Sequence, residues 1–388
     1  MRPLSILHLL SNRWWTGTAE PVLALTQGLL ERRQQVVLAV PAGSHVAELA
    51  RKAGIPLLAG LRLDPRFHPS LWLQDGLTLS AFLRRTPVDV LHTHLSHDHW
   101  LASLAVTLLN PGRGRVPIQV RTVHTLRPQR SFINRWLLRH GAAHLITVSP
   151  TLQRDLTERL HISPSRLTAI AGSVNGQRFH PALVGVRIRQ EFGITPTTPL
   201  IGIVARLAPS RGHLTLVEAF TQVHTAIPAA RLLIVGKGEF RPHIERRIDE
   251  LGLGDAVLFA GYREDDLPEV LAALDVFVLM APGSEGSCRA ALEAMAVGKP
   301  VVATRVGALQ DIVLDGETGL LIEPGAHAAL THAISRLLRA PEQAHQMGLR
   351  GRQRIEHVFS RQRQVDEVLQ LYHQLRAARR PLPTRRNG

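Results

Sequence analysis

The run Leu4-Ser5-Ile6-Leu7-His8-Leu9-Leu10 is followed by a segment of helical period over residues 19–33, and then by a second apolar run, Gln35-Val36-Val37-Leu38-Ala39-Val40. Short apolar run, amphipathic stretch, short apolar run is the βαβ rhythm of a parallel sheet, whose strands are covered on both faces and so read as near-continuous Val, Ile and Leu. The rhythm goes on through a helical segment at 44–53 and strand-like runs at 88–92, 118–122 and 144–148. It lapses into Gly, Pro and Thr-rich sequence at 172–199, with one short helical piece near 186–192, and this marks the linker. It resumes with runs at 199–204, 231–235, 256–259, 276–279 and 300–304. The prediction is an α/β chain of two doubly wound, Rossmann-like parallel-sheet lobes, residues 1–180 and 181–358, facing a central cleft. A helix at 359–378 and a disordered tail at 379–388 complete it.

At 388 residues the chain exceeds one ordinary hydrophobic core and suits two. No run of eighteen apolar residues occurs, so no segment reads as a membrane span. The first apolar run is followed by Ser11-Asn12-Arg13 and two Trp, where a signal peptide needs small residues, so it reads as a strand. Cys288 is the one cysteine, which excludes an intrachain disulfide and fits a cytoplasmic location. Net charge is +15, and between His99 and Arg154 there are 8 arginines and no Asp or Glu. A field of one sign attracts anions: phosphates, nucleic acid or an anionic membrane.

The richest stretch for chemistry is Ser284-Glu285-Gly286-Ser287-Cys288-Arg289-Ala290-Ala291-Leu292-Glu293-Ala294-Met295-Ala296, directly after the run at 276–279. Small polar residues open a helix at a strand's C-terminal end, where free N–H groups and the dipole bind anions. Glu285 and Glu293, eight residues apart, stand about 12 Å apart along a helix axis. Paired carboxylates that hydrolyse glycosides lie at roughly 5 to 9.5 Å, so these two suit the ends of an elongated ligand better.

This stretch resembles the E-x7-E element of the retaining GT-B glycosyltransferases of family GT4. The resemblance implies that Glu285 binds donor-sugar hydroxyls and Glu293 the ribose, with Gly286, Ser287 and Cys288 in the first turn at the nucleotide-sugar. Upstream, Gly202-Ile203-Val204-Ala205-Arg206-Leu207 with Arg211 is similar to the segment that holds the donor diphosphate, Arg211 standing where the family usually has Lys. An Arg fork keeps the charge and changes the geometry. Val301-Val302-Ala303-Thr304-Arg305-Val306-Gly307 and Asp315-Gly316-Glu317-Thr318-Gly319-Leu320-Leu321 also match, and the likeness covers nearly the whole chain. It makes 1–180 the acceptor-side lobe, 181–358 the nucleotide-sugar lobe, and 359–378 the helix that crosses back to the first lobe.

In the first lobe Thr16-Gly17-Thr18-Ala19-Glu20 resembles the family's Gly-Gly-x-Glu loop, Gly17 giving the bare Cα that a donor phosphate approaches and Thr18 replacing the second Gly. Arg121-Thr122-Val123-His124 is similar to the strand end carrying an active-site His, which makes His124 catalytic beside Arg206, Arg211 and Glu285. His92 and His94 match a strand-end H-x-H. With His97 and His99 they straddle a strand end and a helix start capped by Asp98, so no metal is expected. Gly236-Lys237-Gly238-Glu239 lacks the third Gly of a dinucleotide fingerprint, and no Walker A sequence occurs, which disfavours NAD and ATP. Residues 127–139 interleave four arginines with Phe132, Ile133, Trp136 and Leu137, a pattern suited either to an anionic membrane surface or to a helix packed on its own sheet.

The expected activity is metal-independent transfer of a sugar, with retention, from a nucleoside-diphosphate sugar to a hydroxyl of a cell-envelope glycan or lipid-linked precursor. It would take place at the inner face of the membrane and involve no nucleic acid. Two readings stand beside it: a nucleotide-sugar epimerase of similar architecture, and a non-catalytic binder of anionic surfaces.

Overall fold

A computed structural model describes residues 2–13, 17–64, 66, 68–109, 116–124, 132–280 and 285–379, the side chains of 285–287 excepted. The chain divides into two compact units, 1–172 with 361–388, and 173–360. The first contains β1 (Ser5–Leu9), α1 (Ala19–Glu31), β2 (Gln35–Ala39), α2 (His45–Lys52), α3 (Pro69–Arg85), β3 (Val90–Thr93), α4 (Ser96–Thr107), β4 (Ile118–Val123), α5 (Phe132–His140), β5 (His144–Thr147), α6 (Pro150–Leu160) and β6 (Leu167–Ala169). Its six strands lie in the order β2-β1-β3-β4-β5-β6 and every pairing is parallel.

The second unit contains α7 (Val186–Glu191), β7 (Leu200–Val204), α8 (His213–Ala226), β8 (Arg231–Val235), α9 (Arg241–Glu250), β9 (Val257–Gly261), α10 (Leu267–Ala273), β10 (Val276–Leu279), α11 (Glu285–Ala296), β11 (Val301–Thr304), α12 (Leu309–Ile312), β12 (Gly319–Ile322), α13 (His327–Arg339) and α14 (Pro341–Val358). Its parallel sheet runs β12-β11-β10-β7-β8-β9. In both sheets the order reverses beside the first strand, between β1 and β3 and between β7 and β10. Such a switch point opens a crevice at the strands' carboxyl ends.

The unit boundary falls at residue 172, earlier than the expected 180. The reason is local: Val174 donates its N–H to the Phe359 carbonyl and bridges to Ser360, which ties the start of the linker to the end of α14. Edge strand β6, of 3 residues, is too short to stand out as an apolar run. Arg379, which the expected disordered tail includes, donates to the Val116 carbonyl; the rest of that tail, 380–388, lies outside the described residues.

The last helix, α15 (Arg361–Ala378), belongs to the first unit. Val365, Val368, Leu371 and Tyr372 bury against Leu4, Ile6, Leu25 and Leu29, and apolar side chains of this kind contribute about 1.5–3 kcal/mol each when fully covered. Arg361 pairs with Glu31, and Arg32 with Asp366, along the same seam. The approach depends on Gly28, where a Cβ would lie 2.3 Å from Cγ2 of Val365. Gly28→Ala should therefore destabilise the first unit by about 1–3 kcal/mol in urea melts, the cost of forcing a methyl into a packed seam. An unchanged midpoint would mean that α15 docks loosely.

Candidate functional site

In the second unit the switch point gathers cations. Arg206 follows β7 and is exposed, its guanidinium bonded to both oxygens of Glu239 at 2.9 and 3.1 Å. Arg211 ends a short 3-10 turn, Pro209–Arg211, and is half-buried. Burial first, and then the nearby Arg206 charge, lower its pKa. The turn closes at Gly212, whose φ of +74° and approach to Met280, 2.4 Å from a hypothetical Cβ to the Met280 Cβ, bring the Arg211 loop against the end of β10.

From β10 the chain enters α11, whose first turn lies at the same edge. Cys288 feels the Arg211 charge, although burial dominates and pushes its thiol up to about 12, so it is uncharged at neutral pH. Glu293 is buried and accepts from Arg289 Nε at 2.8 Å, one turn earlier in the helix. The Glu285 side chain and those of Gly286 and Ser287 lie outside the described residues, as does Ser284; the helix itself begins at Glu285. Arg206, Arg211, Cys288 and the start of α11 thus share one neighbourhood. His213, beside Arg211, was not singled out from sequence. It is buried, neither ring nitrogen has a hydrogen-bond partner, and burial followed by the Arg211 charge lowers its pKa to about 4.

In the first unit Gly17 lies in the turn before α1, and His124 immediately after β4. His92 and His94 point to the side of the sheet covered by α15, where β1 contributes His8, in register with His92. His8 Nδ1 and His94 Nε2 are 3.0 Å apart, His92 bonds the Tyr372 hydroxyl at 2.6 Å and Thr122 at 2.8 Å, and the His124 ring lies 5.8 Å from that of His94. The ligand atoms of His8, His92 and His94 come within 4.8 Å of one another, close enough to chelate. Both His92 nitrogens are spent on hydroxyls, however, and no carboxylate belongs to the group to balance a dication. His97 and His99 lie on α4 instead, with Asp98 capping through the Leu95 and Ser11 amides. His8 and Tyr372 were not legible beforehand, because a two-residue period assigns a face and not a neighbour.

The chain matches the family Glycosyltransferase Family 4 over residues 15–178 and Glycosyl transferases group 1 over 186–354. It is 32% identical over 292 residues to the 2-deoxystreptamine glucosyltransferase of Streptomyces kanamyceticus, covering 70% of this chain and 73% of that one. The chain belongs to glycosyltransferase family 4. A second relative, the Escherichia coli UDP-Gal:alpha-D-GlcNAc-diphosphoundecaprenol alpha-1,3-galactosyltransferase, is 26% identical over 313 residues, 77% of this chain and 79% of that enzyme. Among solved structures, Anabaena Alr3699/HepE in complex with UDP and glucose superimposes with a TM-score of 0.81 at 19% identity, covering 95% of this chain and 99% of that one, which shows the GT-B fold.

This glycosyltransferase is therefore a retaining enzyme that moves a sugar from a nucleoside-diphosphate sugar to a hydroxyl. Family membership decides for transfer over the epimerase and the non-catalytic binder. No helix among the described residues is long and apolar enough to cross a membrane.

Burial holds His8, His99 and His124 down to about 3 and His92 and His94 well below the usual imidazole range. An unfolded chain protonates these rings near pH 6.5, so as pH falls below that value it takes up protons the folded sheet refuses, and stability drops. Asp98, raised to about 6 by burial, works the other way as the single opposing group. The glycosyltransferase should show a urea midpoint that is flat from pH 7 to 8 and declines steadily from about pH 6.5 toward pH 4. A midpoint indifferent to pH would mean that the rings reach water.

Proposed function

We propose that the donor diphosphate is held by Arg206, Arg211 and the first-turn N–H groups of α11 around Gly286 and Ser287, at the crevice between β7 and β10. The observation that carries this reading is the convergence of two guanidinium groups and a helix start at a switch point of the parallel sheet. Departure of the nucleoside diphosphate develops negative charge, and these donors stabilise it where other enzymes use Mg²⁺, so no divalent metal is needed. Arg206 exchanges Glu239 for phosphate as the donor enters; an exposed pair of this kind is worth only about 0–1 kcal/mol, so the exchange costs little.

Glu285 orients the transferred sugar, and Glu293, its rotamer fixed by Arg289, accepts from the ribose hydroxyls. In the first unit Gly17 offers a bare Cα for a phosphate to approach and His124 a polar ring for a sugar, the roles that the resemblance gives them. With no nucleophilic carboxylate evident for the opposite sugar face, attack comes from the side the diphosphate leaves. The acceptor is a cell-envelope glycan or lipid-linked precursor, consistent with the diphosphoundecaprenol-linked sugar named for the E. coli relative.

The enzyme works in the cytoplasm, peripherally at an anionic membrane. Phe132, Ile133 and Trp136 on α5 are 70%, 54% and 52% exposed, an apolar strip flanked by Arg135. Arg139 is tied to the Leu160 carbonyl, so it braces α5 more than it serves a lipid.

Three measurements test these assignments. Thermal stabilisation by a panel of UDP-, GDP-, ADP- and TDP-sugars should single out one nucleotide, because a ligand of the native state alone raises the melting point by mass action. Arg206→Ala should abolish that shift and lower kcat/KM by roughly 100- to 1,000-fold without altering the ligand-free melt; retained turnover would move the diphosphate elsewhere. For the membrane, Phe132→Ser with Trp136→Ser should lose cosedimentation with phosphatidylglycerol vesicles. Equal pelleting of both proteins would remove α5 from the interface.

A further inference from the structure

The first unit carries a cation at its own switch point that donor binding does not use. Arg121 on β4 is only 7% exposed. Its guanidinium lies under the first turn of α4, donating from Nη1 to His99 Nδ1 at 2.8 Å and from Nη2 to Ser96 Oγ at 3.0 Å. Its Nε has no hydrogen-bond partner.

Both groups it touches are neutral: Ser96 is a hydroxyl, and burial, followed by the charge of Arg121 itself, holds His99 unprotonated. The one carboxylate that acts on the guanidinium is Asp98, and its oxygens are occupied by the Ser11 and Leu95 amides at 2.9 and 2.8 Å. Burial lowers Arg121 only to about 10, so it remains charged. A buried guanidinium without a directly bonded anion is costly to keep, and replacing it with an apolar side chain would relieve that cost.

Three features make this charge useful rather than merely tolerated. Ser96 is exposed, so one hydrogen bond separates the guanidinium from solvent. The first turn of α4, a helix of 12 residues, presents its dipole's positive end there. It also follows β3 at the β1–β3 reversal, where a parallel sheet opens toward ligands.

We propose that Arg121, Ser96 and the first turn of α4 form an anion-binding subsite within the first unit, which takes a phosphate or similar oxyanion carried by the acceptor. Anion binding stands on this geometry alone, whereas its assignment to the acceptor rests on the donor site being the one proposed above.

The test uses the full chain carrying Arg206→Ala and Arg211→Ala, so that the donor-side cations are gone. Melting is compared in sodium phosphate and in sodium chloride of equal ionic strength. Phosphate should raise the melting point by about 2–4 °C. Adding Arg121→Met should remove the rise, and Arg121→Lys should keep part of it. A rise that survives Arg121→Met, or no rise in the starting variant, overturns the subsite.

Should Arg121→Met fail to fold, Ser96→Asp, which places a carboxylate over the guanidinium from an exposed position, should abolish the phosphate effect in its stead. Arg121→Met alone, in the otherwise native chain, should retain the nucleotide-induced shift. Its loss there, in a protein that melts normally, would place the anion in the donor pocket and overturn the acceptor assignment. Absence of a nucleotide shift in the native chain would sink the donor reading and, with it, the acceptor assignment, while the phosphate comparison still decides the subsite.

Discussion

Arg206 and Arg211 stand close enough for one charge to act on the other, and the second unit holds their backbones together. β7 delivers Arg206 at its end, a tight turn through Gly212 pins the Arg211 loop on Met280, and β10 lies beside β7 because the sheet reverses there. At an effective dielectric of about 20, two unit charges 4 Å apart cost about 4 kcal/mol, and spacing or solvent must reduce that in the unliganded protein. Arg206 reduces it by leaning on Glu239; Arg211, whose pKa is lowered first by burial, is lowered further by the Arg206 charge. In the proposed donor site a diphosphate, with a negative charge for each guanidinium, would turn that repulsion into attraction. Repulsion before binding and relief after it is the form in which a fold stores preference for a polyanion.

The division into two doubly wound units was legible because most strands are rich in Val, Ile and Leu and alternate with helical segments. Edge strand β6, of 3 residues, lacks that signature. The destination of α15 was not readable from its own periodicity, since an amphipathic helix states which face is apolar and nothing about what covers it; Gly28, the notch that receives Val365, is the matching signal on α1. On the site, Arg206, Arg211 and Glu293 were singled out through the resemblance to GT4, Glu293 also by its eight-residue spacing from Glu285. Their partners Glu239 and Arg289 were not read as such, although Arg289 lies one helical turn from Glu293, the spacing at which side chains meet.

The histidines show the limit from the other side. Their sequence clustering at 92–99 suggests one group, and the fold splits it: β3 sends His92 and His94 to the α15 face, while α4 carries His97 and His99 away. The group that does assemble recruits His8 from β1 through cross-strand register and Tyr372 from the far end of the chain. Neither relation has a one-dimensional trace, because register is fixed by the whole sheet and not by any strand in it.

That assembly bears on what His124 can do. Burial, and secondarily the Arg121 charge, hold its pKa to about 3, so at neutral pH the ring is an uncharged dipole. In the proposed role of His124, an imidazolium would oppose positive charge growing at the anomeric carbon, whereas a neutral ring presents a lone pair that favours it. The buried guanidinium beside His124 then acts at a distance, keeping the ring deprotonated through its charge. The histidine cluster extends the same condition inward, since His94, its ring tilted against that of His124, is itself held neutral by burial and by neighbouring imidazoles.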